Sequence, residues 1–175
     1  MKKFLILILT TLVFAVADAQ IFTLKTIRDK FDDVVSKREI KTLITKNDTA
    51  IIIEEKGKKP VIYKILNESA PMGSKDNIVQ LVGNVYGYEK SWVVVLEKDI
   101  KEIEGYISNN SPIFNGEDDS KKDDLISKLI EKYAYLITHR VVTDEYGLQF
   151  LFEHYWIEKA SFNGDTERTI YSKIY

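Results

Sequence analysis

The sequence predicts an α+β fold: an antiparallel sheet of about six to seven strands in hairpins, with two amphipathic helices packed on one face. Three observations predict it. Short β-branched runs come in pairs around turn residues, two segments repeat apolar positions at helical spacing, and no internal repeat or low-complexity tract interrupts them. Sheets that curl around a helix, cystatin-like or nuclear-transport-factor-like, fit this order of elements by architecture alone.

The first helix is expected over 23–36. Leu24, Ile27, Phe31, Val34 and Val35 recur at helical spacing, with Lys25, Arg28, Lys30, Asp32 and Asp33 on the other side. Thr49 to Glu55 and Val61 to Leu66 then read as a hairpin whose basic tip is Lys56-Gly57-Lys58-Lys59-Pro60. Glu68 to Asn77 holds Pro71, Gly73, Ser74 and Asp76 and reads as a loop. Two more strands follow, Ile78 to Tyr86 and Ser91 to Leu96, joined through Gly87-Tyr88-Glu89-Lys90. Trp92 to Leu96 shows no polar alternation, as expected of a strand covered on both sides.

Ser108 to Lys122 reads as the clearest loop, ending in a capping pattern at Ser120 and Asp123. The second helix follows, its stripe made by Leu125, Ile126, Leu129, Ile130, Tyr133 and Ala134. Ile137 to Thr143 and Leu148 to Glu158 form a hairpin around Asp144-Glu145-Tyr146-Gly147. A last strand, Thr166 to Tyr171, follows the turn Asn163-Gly164-Asp165.

The beginning of the chain has the form of a secretory leader. Met1-Lys2-Lys3 is positive, Phe4 to Val16 is uncharged and apolar apart from Thr10 and Thr11, and Ala17-Asp18-Ala19 supplies small residues where a signal peptidase reads. A membrane span needs roughly 20 apolar residues, more than this run offers. Cleavage after Ala19 is therefore expected, giving 1–19 as a signal peptide and 20–175 as one α+β domain. With no cysteine there is no disulfide framework and no lipid-modified cysteine. That, with the Lys-Lys start, points to a bacterial periplasmic or secreted protein with no stable membrane insertion after cleavage. Asn47, Asn67 and Asn109 begin N-glycosylation-type triplets, which arise easily by chance.

Charge narrows the partners. Removing Lys2, Lys3 and Asp18 takes the formal charge from −2 to −3. Such a chain offers no basic field for phosphates, so nucleic acid is not an expected partner. Hydrophobic content of 45% with 30% charged residues belongs to a folded globule.

Motifs of known chemistry are missing: no nucleophile elbow, no phosphate loop, no thiolate site. Gly83-Asn84-Val85-Tyr86-Gly87 lies between strands and reads as a bend, not a dinucleotide fingerprint. Two histidines cannot build a three-histidine zinc site, and the acids from Glu117 to Asp124 lack calcium-loop spacing. No cofactor, metal or catalytic set is expected.

One constellation remains. If Thr143 pairs with Leu148, then His139 and His154 share a face with Phe152 and Trp156, and Glu158 stands at its end. These five are the candidate ligand-binding residues, although a one-residue slip would part the histidines. On the opposite face Arg140 is expected to pair with Glu153. The leading expectation is a non-enzymatic binding or interaction module of the cell envelope or exterior, for an unknown protein or small-molecule ligand. The alternative is a small hydrolase or isomerase with its pocket at His139 and His154. An open cavity above about 300 Å³ holding both histidines and an acid favours the enzyme. An exposed apolar edge or patch favours the interaction module.

Overall fold

The computed structural model describes residues 18–69, 78–80, 86–116, 118–144, 149–161 and 166–175. Outside them lie the leader up to Ala17, most of the expected 68–77 loop, the core of the Gly83 bend, and the tips of the last two expected turns.

Among the described residues nine strands form one antiparallel sheet: β1 (Asp18–Arg28), β2 (Val34–Lys46), β3 (Ala50–Glu55), β4 (Val61–Ser69), β5 (Ile78–Gln80), β6 (Tyr86–Leu96), β7 (Ala134–Thr143), β8 (Phe150–Lys159) and β9 (Arg168–Ile174). Neighbours run β4-β3-β2-β1-β9-β8-β7-β6, and β4 pairs with β6, so eight strands close into a barrel. The short β5 extends the β4 side of β6, at Tyr86–Tyr88. The expected open sheet with two helices on one face is thereby corrected. Closure at β4–β6 and at β1–β9 leaves no inner face for a helix, and side chains fill the interior instead.

The helix expected over 23–36 is also overturned. Those residues are the end of β1, a turn, and the start of β2. Asp29 Oδ1 accepts from the amides of Phe31 at 2.9 Å and Asp33 at 3.0 Å, and Asp32 takes a left-handed φ of 69°. Phe31, Val34 and Val35 are exposed while Leu24 and Ile27 are half-buried in β1, so the apparent stripe does not cover a core as one face. Turn chemistry prevails over helical spacing. Conversely, the loop expected over 108–122 contains the end of α1 (Ile100–Asn109), the short α2 (Ser111–Phe114) and the start of α3 (Asp119–Tyr133). Asp118, not Ser120, caps α3, accepting from the Lys121 amide at 3.3 Å. The expected turn at 87–90 is instead continuous strand within β6.

Two hairpins form where the sequence placed them, β3–β4 and β7–β8. Trp92 and Val94 point into the barrel, while Val93 and Val95 meet Ile103, Ile107 and Ile130 of α1 and α3 on the outer wall. The centre of the barrel is closed by Phe22, Ile44, Ile51, Trp92, Val94 and Ile137, each at most 2% exposed. The middle of the lumen is apolar, and charged side chains such as Lys37, Glu39 and Lys41 are exposed. Among the described residues no helix is long and apolar enough to cross a membrane.

Candidate functional site

The strand ends at Arg28, Glu55 and Lys159 and the strand starts at Val34, Val61, Ala134 and Arg168 share one end of the barrel. There the interior opens as a cup of about 420 Å³. Tyr63, Tyr135 and Tyr171 give it aromatic walls, and Ile53 and Ile157 give it an apolar lining. Tyr63 and Tyr135 meet edge to face, ring centres 5.6 Å apart.

A charged cluster is built into the wall. Alternation puts Lys25 of β1, Glu55 of β3 and Tyr171 of β9 on the inner side, with Lys25 directly opposite Tyr171 in register. Lys25 Nζ lies 2.5 Å from Glu55 Oε1 and 5.0 Å from the centre of the Tyr171 ring. The Tyr171 hydroxyl donates to Glu55 Oε1 at 2.9 Å, and Lys58, from the β3–β4 turn, binds Oε2. Burial alone pushes the Glu55 carboxyl up, but hydrogen bonds from Lys25, Lys58 and Tyr171 outweigh it and hold the group down at about 2. Burial and the Glu55 carboxylate push the Tyr171 hydroxyl up, and burial raises Tyr63 to about 12. Lysines outnumber acids on the lining: Lys25, Lys58, Lys59 and Lys159 face Glu55, Glu158 and Glu167. Glu158 is itself bound by Arg168 at 3.2 Å.

The five residues singled out in the sequence do not form one site. The β7–β8 register sets His139 opposite Tyr155 and Arg140 opposite His154. That is three residues off the expected pairing, an odd shift, and the histidines fall on opposite faces. His139 lies inside, toward the other end of the barrel, 2.6 Å from Glu153 and stacked on Tyr155 at 4.4 Å. Tyr175 donates to the other oxygen of Glu153 at 2.6 Å. Burial raises the Glu153 carboxyl, and the bonds from His139 and Tyr175 more than reverse this. Arg140 pairs with Glu89, not Glu153.

Phe152, His154 and Trp156 do share a face, the outer one, in a groove of about 490 Å³ along β8, β9 and β1. Burial, then Arg140 and His139, push His154 down to about 4, so its ring is neutral near pH 7. His154 Nε2 and Trp156 Nε1 are buried with no hydrogen-bond partner. Glu158 alone of the five reaches the cup, at its rim. Sequence reading missed Lys25, Glu55 and Tyr171. The only local signal for them was the basic hairpin tip that carries Lys58 and Lys59.

Fold and site together define a closed, eight-stranded antiparallel barrel with an aromatic, lysine-rimmed cup at one mouth. No protein-family model, curated protein or solved structure significantly matches this chain.

Proposed function

We propose that this protein is a non-enzymatic binding protein acting outside the cytoplasm, whose barrel mouth receives a small amphipathic molecule carrying one anionic group. The observation that carries the reading is the cup. It falls within the roughly 300–1,000 Å³ of small-molecule sites, and barrel mouths are a preferred place for them. Three tyrosines offer faces to an apolar ring or chain, and the excess of lysine favours a negative head. The cup contains neither histidine, and His139 and His154 lie on opposite faces of their strand pair, so the reading rests on binding and not on a hydrolase or isomerase pocket there. The leader, Met1 to Ala19, supports action outside the cytoplasm. N-terminal sequencing of protein recovered from a bacterial host tests that part, with Gln20 as the expected first residue.

Titration with anilinonaphthalene sulfonate, an aromatic anion that brightens in apolar surroundings, tests the cup. Saturable binding at one site is expected, with octanoate displacing the dye better than octylamine. Thr169→Trp, which fills the cup from β9, is expected to weaken the dye by about tenfold or more. Dye binding that does not saturate, or that Thr169→Trp leaves unchanged, overturns the reading.

A further inference from the structure

The second strand of the barrel is lined on one side only for much of its length. β1 pairs with β2 from Arg28↔Val34 to Asp18↔Lys46, whereas β3 pairs only from Thr42↔Glu55 to Lys46↔Ile51. Among the described residues no strand lies against the other edge of Val34–Lys41. We infer that this edge is a strand-addition site for an extended acidic segment of another protein.

The stretch Val-Val-Ser-Lys-Arg-Glu-Ile-Lys contains no proline or glycine. Its alternate amides and carbonyls are therefore all present on the open side. Val34 and Val35 are 51% and 64% exposed, apolar area that a pairing strand covers. Charge selects the partner. Lys37, Arg38 and Lys41 stand against Glu39 alone, on a chain whose net charge is negative. Of the three acids of the adjoining turn two are engaged, and the third, Asp33, stands exposed at the start of the edge. Asp29 holds the amides of Phe31 and Asp33, and Asp32 is bound by Arg28 at 3.4 Å and Arg168 at 3.1 Å. A second copy is the poorer occupant, because antiparallel self-pairing about the middle of the stretch sets Arg38 against Arg38 or Lys37 of the other copy. An acidic strand meets three cations and one acid. The edge also follows the rim of the cup, since Arg38 lies opposite Lys25 in register.

The test uses a fluorescent peptide as long as the edge, alternating glutamate with valine, and three controls. These are the same peptide N-methylated at alternate residues, a peptide with lysine for glutamate, and the protein carrying Lys37→Glu, Arg38→Glu and Lys41→Glu. These side chains are exposed, and circular dichroism checks that the variant keeps its fold. The acidic peptide is expected to bind and to slow amide exchange across 34–41. N-methylation or the lysine swap is expected to weaken it by about tenfold or more, and the triple variant to prefer the lysine peptide. Thr169→Trp is expected to leave the peptide bound, which separates this site from the cup. Equal binding of the N-methylated or the lysine peptide overturns the inference. So does protection of 34–41 in the protein alone together with a dimer in sedimentation, which gives the edge to a second copy.

Discussion

Glu55 carries its charge in a place that water barely reaches, its side chain 5% exposed. Three donors hold it there, and they make its carboxyl more acidic when folded than unfolded. A group shifted in this direction stabilises the fold above its ordinary value of 4.5 and loses that contribution as pH falls from 4.5 toward about 2. Glu55→Gln is therefore expected to remove on the order of 2–3 kcal/mol at pH 7 and to flatten the fall in stability between those limits, read by urea unfolding at a series of pH values. His139 belongs to a different cluster at the other end. His139→Ala leaves Glu153 without one of its two close hydrogen-bond partners, and a cost of about 1–3 kcal/mol is expected. Binding of the dye in the cup should not change, whereas a ligand site at the histidines would lose it.

Individual strands and turns show where sequence patterns suffice. The β3–β4 hairpin was legible because Thr49 to Glu55 and Val61 to Leu66 flank a Gly-containing tip, and Gly57 indeed takes a φ of 79° there. With nothing within 4 Å of an added Cβ, Gly57→Ala tests backbone strain alone, and about 1 kcal/mol of destabilisation is expected in thermal unfolding. The β1–β2 hairpin was illegible for the opposite reason. Its apolar residues fall by chance at helical spacing, and what decides the chain path is the short-range bonding of Asp29. The β7–β8 pair was found, but its register was not. Packing of Tyr155 and Ile157 into the lumen fixes register, and no turn residue announces it.

For the molecule as a unit, closure is what no local pattern carries. The pairing of Leu24–Arg28 with Arg168–Ser172 joins the two ends of the chain, and the cup inherits that dependence: Lys25 and Glu55 are 30 residues apart, Glu55 and Tyr171 are 116. Glu55 is hard to read from sequence because two of its three partners arrive from the first and last strands and only Lys58 is local. A chain that stops at Ala160 lacks β9, and loss of the cooperative thermal transition is expected on calorimetry.

The seam between β1 and β9 also sets a timetable. β2 can pair with one edge of Leu24 to Arg28 as soon as it follows, whereas the groups on the opposite edge have no partner until the distant β9 is in place. Until then the barrel is a curled sheet with an unfilled slot, and an extended segment that enters the slot competes for the place of β9.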